Sequence, residues 1–287
     1  MFTIGLSSCE KVKLSNGKVL SEDVFVSYAK SGIEYMELSS GYQFYKELNY
    51  KAFAELAEKH RVKIWSLHLP FEADIDISNP VCAERTLDIH REIIRKAADV
   101  GIKIFVLHPS AEPIDDADRP TRMALSKKNL ARLAEYAANC GGVIAVENLP
   151  RTCLGRNSQE MLELISADER LTVCFDTNHL LTEDSVKFIK TLKNKIITTH
   201  VSDYDFVNER HWMPGEGKID WQGILAALKE VGYEGPWLYE INFEAPRTIV
   251  RERDLTCEDF AKNARELFEN KDITVIGTPK PNLGMWG

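Results

Sequence analysis

The chain has 287 residues, of which 44% are hydrophobic and 28% are charged, and its formal net charge at neutral pH is −8. This composition is typical of a globular domain with a large core, whereas the acidic charge and the absence of a basic run argue against binding to a nucleic-acid backbone. No apolar run is long enough to span a membrane, and residues 1–4 carry no basic segment of a secretion signal. We therefore expect a cytoplasmic protein that acts on small polar molecules, without nucleic-acid or membrane partners.

The cysteines are scattered and show no CxxC spacing. We expect reduced thiols rather than disulfides or a cysteine metal site. The six positions are Cys9, Cys82, Cys140, Cys153, Cys174 and Cys257.

Short apolar runs alternate along the chain with stretches of helical periodicity. The predicted strands cover residues 3–8, 35–38, 64–68, 104–108, 143–147, 172–176, 196–200 and 237–240. The predicted helices cover residues 22–31, about 46–60, about 81–100, a stretch ending at 139, and about 158–167, 184–192, 221–231 and 257–269. Each strand-to-strand interval can hold a helix and a return to a parallel strand. Eight such units predict an α/β fold, a single (β/α)8 TIM barrel over residues 1–270.

Residues 271–287 lie outside this count and form a C-terminal extension. Residues 273–276 have the composition of a strand, while Pro279, Pro281 and Gly284 exclude a helix. We expect Met285 and Trp286 to pack either on the wall of the same barrel or against a second subunit. A homo-oligomer therefore stays an open possibility.

Histidines and carboxylates stand where the predicted strands end, at the mouth that carries the chemistry of a parallel barrel. A single carboxylate there is often an ordinary polar residue, but ligand-type residues on successive strands indicate a metal site. Three carboxylates and one imidazole form an oxygen-rich site suited to Mn²⁺, Mg²⁺ or Co²⁺, with Zn²⁺ as a further possibility. We predict that one divalent ion is bound by Glu147, Asp176, His200 and Glu240.

Ordered motifs connect these residues to a known family. They are LHLP with His68, LHPS with His108, VENLP with Glu147, FDTNH with Asp176 and His179, HVSD with His200, RHWMPGEGKIDW with His211, and YEINF with Glu240. Over nearly all of residues 1–270 the chain resembles the xylose isomerase-like barrel superfamily. Within it, the chain is similar to the sugar phosphate isomerase/epimerase group and to the endonuclease IV-type AP endonucleases. The resemblance implies the barrel and a metal at the same four residues, but the scaffold hosts several chemistries.

The resemblance leaves two roles for the remaining histidines. In sugar-converting relatives, residues matching His68, His108 and His179 hydrogen-bond substrate hydroxyls, whereas in the repair nucleases they hold second and third zinc ions. His211 carries the same ambiguity. The nuclease pattern has Asp two residues before this histidine, but this chain has Glu209, which argues against a three-metal site.

Two arginines follow Glu147 in the sequence ENLPRTCLGRN. Arg151 could bind a phosphate or a sugar acid at the barrel mouth, because a guanidinium forms two parallel hydrogen bonds with such groups. Alternatively, Arg151 and Arg156 pair with carboxylates of the protein.

We therefore predict a divalent-metal-dependent isomerase or epimerase of a sugar or sugar phosphate. Glu147 and Glu240 would move a proton at the carbon next to a carbonyl, through an enediolate. Two carboxylates flanking one carbon suit an epimerase, whereas one carboxylate acting alone suits an isomerase or a dehydratase. The alternatives are a dehydratase on the same scaffold, an AP endonuclease-like hydrolase, and a metal-binding barrel without catalysis.

Overall fold

A computed structural model describes residues 2–8, 21–72, 74–281 and 283–284. Eight parallel strands form its main sheet: β1 (Ile4–Ser7), β2 (Tyr35–Ser39), β3 (Lys63–His68), β4 (Ile104–Leu107), β5 (Val143–Glu147), β6 (Thr172–Asp176), β7 (Ile196–His200) and β8 (Trp237–Tyr239). Strands β1 to β7 lie side by side in chain order, and β8 pairs with β1. A parallel bridge between Val201 and Tyr239 joins β7 to β8 and closes the ring. The predicted (β/α)8 TIM barrel is confirmed.

Helices follow the strands and cover the outside of the barrel. They are α1 (Glu22–Ser31), α2 (Tyr42–Glu47), α3 (Tyr50–Lys59), α4 (Ala83–Ala98), α5 (Arg119–Asn139), α6 (Ser158–Ile165), α7 (Ser185–Leu192), α8 (Trp221–Glu230) and α9 (Cys257–Phe268). Gly32 ends α1 with φ of 79°, a left-handed conformation that glycine adopts without strain. Asp220 caps α8 by accepting a hydrogen bond from the Gly223 amide.

The single helix predicted over residues 46–60 is wrong. Leu48 adopts an extended conformation, and the Asn49 side chain accepts a hydrogen bond from the Ala52 amide, so that α3 begins anew. A local cap therefore separates two helices where the apolar spacing alone suggested one.

The core has two parts. A large apolar cluster lies between the helices and the outer face of the strands. Inside the barrel, a small cluster contains Val106, Ala145 and Cys174. Two interior side chains beside it are polar, since Glu37 and Ser66 are fully buried and hydrogen-bonded to each other. The barrel interior is thus partly a polar network.

The chain after α9 packs back onto the barrel. Residues 273–276 do not form the predicted strand; instead β10 (Thr278–Pro279) pairs antiparallel with β9 (Ile249–Val250). Glu216 of the PGEG turn holds this segment, because its carboxylate accepts hydrogen bonds from the Gly277 amide at 2.6 Å and from Arg251 at 2.7 Å. Met285 and Trp286, for which we predicted docking, lie outside the described residues.

The five described cysteines are free thiols, and Cys9 lies outside the described residues. Across the described ranges, no helix combines the length and the apolar character needed to cross a bilayer.

Replacing Glu216 by Ala should lower the free energy of unfolding by about 3–5 kcal/mol, because it leaves the buried Arg251 guanidinium without its counter-charge. Urea denaturation measures this loss. The control is Glu230→Ala, which breaks the exposed pair with Lys190 and should cost less than about 1 kcal/mol. Equal effects of the two substitutions would contradict a structural role for Glu216.

Candidate metal centre

Four side chains that the sequence places on different strands meet at the barrel mouth. Glu147, Asp176, His200 and Glu240 each offer one ligand atom, and these atoms lie within 4.8 Å of one another. The Nδ1 atom of His200 is 3.3 Å from carboxylate oxygens of both Glu147 and Glu240 and 3.9 Å from Asp176 Oδ2. Strand register contributes to the arrangement, since Asp176 on β6 pairs directly with His200 on β7.

Three buried atoms of this cluster have no hydrogen-bond partner within the described part of the chain: Asp176 Oδ2 and His200 Nδ1, which both face the other ligands, and His200 Nε2. Buried polar atoms are almost always satisfied, so a pair that points into one cluster needs an explanation. A divalent cation bound by three carboxylate oxygens and one imidazole nitrogen would satisfy both. The donor set of this site therefore fits a hard or borderline divalent ion.

The electrostatics show how crowded the carboxylates are. Burial, together with Glu147 and Glu240, raises the pKa of Asp176 well above its usual range. Burial also opposes ionisation of Glu147 and Glu240, but His200 and neighbouring histidines prevail and lower both pKa values, that of Glu240 to about 2. Burial lowers the pKa of His200, but the surrounding carboxylates raise it more, so that the pKa lies well above 6.5. Without a metal, protons on histidine and Asp176 offset the excess negative charge.

A fifth residue of the site, Glu37, was missed by the sequence analysis. It lies on β2, and its Oε1 is 3.0 Å from His200 Nε2, on the side of the imidazole that faces away from the carboxylate cluster. The available signal was a charged residue inside the apolar run Tyr35-Met36-Glu37-Leu38, where a carboxylate needs a buried partner.

His68 and His108 both contact Glu147. Their Nε2 atoms lie 3.0 Å and 3.2 Å from Glu147 Oε2, and the three residues form another group whose ligand-type atoms lie within 4.8 Å of one another. His68 Nδ1 lies 2.8 Å from the Leu69 carbonyl oxygen, which can accept its proton and leave Nε2 facing Glu147. Burial opposes protonation of His68, but Glu147 raises its pKa; for His108 burial prevails and the pKa falls.

A third group contains His179, Glu209 and His211. His179 Nε2 lies 3.3 Å from Glu209 Oε2, while its Nδ1 lies 2.9 Å from the Asn148 carbonyl oxygen. Burial opposes protonation of His179, but Asp176, Glu147 and Glu209 raise its pKa well above 6.5. The structure thus brings His211 and Glu209 together beside the main cluster, at one side of the mouth.

These groups open into a cavity of about 670 Å³ at the C-terminal end of the barrel. Of the four main cluster residues, Glu147 and Glu240 line the cavity, whereas Asp176 and His200 are fully buried. Other lining residues include His108, His179, His211, Phe71, Arg151, Glu72, Glu112 and Glu209. The mouth is therefore rich in carboxylates and imidazoles.

Arg151 lines this cavity, but protein side chains hold its guanidinium. Nε donates to the Glu112 carboxylate at 2.9 Å, and Nη2 donates to Glu209 at 2.9 Å. Nη1 donates to Asn208 at 2.7 Å. Arg156 likewise pairs with Glu160, at 3.2 Å. Of the two roles considered for these arginines, the structure contains the pairing with protein carboxylates.

Replacing Asp176 by Ala should abolish stoichiometric binding of Mn²⁺ by chelator-treated protein, because it removes one charged oxygen from the four-ligand cluster. The fold should persist, since the substitution also relieves repulsion between carboxylates. Equilibrium dialysis with elemental analysis measures the bound ion, and Glu72→Gln, a cavity residue outside the cluster, is the control. A variant with the metal content of the wild type would remove Asp176 from the ligand set.

The metal-free protein should lose stability as the pH rises above about 6.5. His68, His179 and His200 have raised pKa values in the folded state, so their stabilising protonation is complete below the unfolded value of 6.5 and is lost through the higher folded values. The gain in melting temperature on adding Mn²⁺ should increase over the same range, because ligands bind as deprotonated groups. Thermal unfolding from about pH 6 to 9 tests this; a flat profile without metal would contradict it.

Known proteins are similar to this chain over much of its length. An uncharacterized protein of Methanocaldococcus jannaschii is 28% identical over 231 residues, which cover 76% of this chain and 77% of that protein. A probable endonuclease 4 of Mesoplasma florum is 27% identical, over 69% of this chain and 74% of the relative. A ketose 3-epimerase of Arthrobacter globiformis is 24% identical, over 66% of each chain.

Solved structures agree with the barrel. A D-tagatose 3-epimerase-like protein superimposes with a TM-score of 0.75 at 24% identity, covering 94% of this chain and 96% of that one. An L-ribulose 3-epimerase gives a TM-score of 0.75 at 20% identity, with 94% of each chain covered. At such identities the likeness concerns the fold. The family described as the xylose isomerase-like TIM barrel matches residues 25–266, and the chain belongs to this family, as its motifs predicted.

Proposed function

We propose that the protein is a divalent-metal-dependent isomerase or epimerase of a small unphosphorylated sugar, acting by proton transfer at a carbon next to a carbonyl. One observation carries this proposal. Of the four cluster residues, the two that reach the cavity are both glutamates, Glu147 and Glu240. A cavity of about 670 Å³ is within the usual size of a small-molecule site.

The strand order gives these glutamates complementary positions. Glu147 ends β5 and Glu240 follows β8, so they approach His200 of β7 from its two sides in the sheet. A substrate carbon above His200 would have one carboxylate on each face. With lowered pKa values, both carboxyl groups are ionised at neutral pH, as a general base must be.

Glu147, Asp176, His200 and Glu240 would hold the metal. A bound divalent ion supplies electrostatic stabilisation of the negative charge that develops when the substrate carbon loses its proton. One ionised glutamate would remove the proton from its face and become protonated, while the other, having first taken up a proton from solvent, would donate that proton to the opposite face. Exchange of both carboxyl groups with solvent then resets the pair. This two-sided arrangement favours epimerisation over isomerisation or dehydration, which a single carboxylate could perform.

The remaining histidines divide into two roles in this proposal. His108, His179 and His211 line the cavity, where their ring nitrogens would hydrogen-bond sugar hydroxyls. His68 is fully buried behind Glu147 and contacts its Oε2, so we assign it the positioning of that carboxylate. Similarity to a ketose 3-epimerase and to a fructoselysine 3-epimerase, 26% identical over 146 residues, supports a sugar substrate.

The charge of the mouth argues against a phosphorylated substrate. Among the described lining residues, Arg151 is the cation outside the histidines, and Glu112 and Glu209 already hold it. Glu72 adds a further carboxylate at the same opening. A phosphate would meet carboxylates here rather than an available guanidinium, so a neutral polyol suits the mouth better.

A second candidate is a multi-metal hydrolase of the endonuclease 4 type. It is favoured by two of the further groups that could hold a metal, His68–His108–Glu147 and His179–Glu209–His211, and by similarity to a probable endonuclease 4. The acidic mouth opposes it, because DNA binding depends on neutralising backbone phosphates. Metal analysis and incubation with an abasic-site duplex at low salt distinguish the two. Three tightly bound ions with robust metal-dependent incision would favour the hydrolase.

Replacing Glu240 by Gln should keep an oxygen at the metal site and lower turnover roughly 10²–10⁴-fold on a ketose identified from a panel, because the basic carboxylate is lost. In D₂O, Glu147 should still exchange the substrate proton with solvent from its own face. NMR should therefore detect deuterium incorporation without inversion. Glu230→Gln, an exposed residue of α8 that does not line the cavity, is the control and should keep both activities.

Full turnover by a metal-loaded Glu240→Gln protein would overturn the two-glutamate mechanism. Release of a dehydrated product by the wild-type protein would instead assign the reaction to a dehydratase.

A further inference from the structure

Glu37 is a carboxylate inside the barrel that the proposed reaction does not use. It is 0% exposed and lies on β2, which is separated from His200 on β7 by β1 and β8 around the ring. Its two oxygens have different neighbours. Ser66 Oγ on β3 donates to Oε2 at 2.7 Å. His200 Nε2 lies 3.0 Å from Oε1, an ion-pair distance, and neither of these two buried atoms has a hydrogen-bond partner within the described residues.

A buried carboxylate at this position is costly. The nearby interior residues Val106, Ala145 and Cys174 form a hydrophobic cluster, and an apolar residue in place of Glu37 would avoid desolvating a charge. Replacing buried ionic groups by apolar ones is often neutral or stabilising. Packing therefore does not explain Glu37, whereas its contact with the imidazole of the metal cluster does.

The two nitrogens of His200 face different groups. Nε2 faces Glu37, and Nδ1 faces the carboxylates of Glu147 and Glu240 at 3.3 Å. A cation held by the carboxylates beside Nδ1 would need the lone pair of that nitrogen. The ring proton would then lie on Nε2, beside Glu37.

We propose that Glu37 is a positioning residue, which holds the His200 imidazole with its proton on Nε2 and its Nδ1 lone pair directed at the metal. Ser66 fixes the Glu37 carboxylate through the opposite oxygen. The inference rests on the proposed metal site and adds to it a carboxylate–histidine pair that reaches the ion from the barrel interior. Glu37 touches neither the cavity nor a reacting atom.

The test measures Mn²⁺ affinity of chelator-treated protein by calorimetry. Glu37→Gln keeps the size of the side chain but removes its charge, and affinity should fall roughly 10–100-fold, as for other outer-shell partners of metal-bound histidines. Circular dichroism and the melting temperature of the metal-free protein report the fold separately. A residue with only a structural role would change the melting temperature of the metal-free protein and leave the affinity of the folded protein unchanged.

A second variant keeps the test decisive if Glu37→Gln does not fold. Glu37→Asp retains the charge but is one methylene shorter, so it should lose the 3.0 Å contact with Nε2 and bind Mn²⁺ at least tenfold more weakly, at the lower end of the same range. Wild-type affinity in a folded Glu37 variant would overturn the inference while the proposed metal site stands. Failure of the wild-type protein itself to bind a divalent ion would instead overturn the metal site on which the proposed function depends.

Discussion

Repulsion among three carboxylates, two buried and one partly buried, is the constraint around which the barrel mouth is organised. Glu147, Asp176 and Glu240 surround the Nδ1 atom of His200, and burial makes each uncompensated charge expensive. Histidine protons and a protonated Asp176 can offset this charge, but they leave buried atoms without partners. A divalent cation resolves the repulsion and the missing contacts together, which makes metal binding the simplest account of the cluster.

The barrel topology explains how residues distant in sequence reach one point. Parallel strands in chain order bring all their C-terminal ends to the same opening, and closure through Val201 and Tyr239 places β8 beside β7. Glu240 therefore meets His200 from one side while Glu147 approaches from the other. The same closure places Glu37 of β2 across the interior from His200. One imidazole consequently links the cavity, the metal cluster and the barrel core.

The parts of the site that the sequence predicts are those determined by strand ends. A polar residue that terminates an apolar run has to leave the core, so the ends of β5, β6 and β7 could be read directly. The sequence analysis missed Glu37 because it lies within an apolar run. Its distance to His200 depends on the closure of the barrel, which the sequence does not reveal. The contacts of Arg151 could not be predicted from the sequence either, because they join the loops that follow β4, β5 and β7. Arg151 itself has φ of 51°, a conformation that side-chain spacing does not reveal.

Loop contacts also bear on the substrate proposed for the candidate metal site. Glu112 and Glu209 come from different loops and converge on Arg151, so the guanidinium stabilises the mouth instead of presenting an open anion site. Glu209 also contacts His179, so the Arg151 ion pairs are connected to a histidine of the cavity wall. An anionic ligand would have to compete with two carboxylates for one cation, whereas a neutral polyol can use imidazoles and carboxylates as hydrogen-bond partners without displacing them. Sugar phosphates and DNA therefore suit this mouth less well than a neutral polyol, in keeping with the net charge of −8.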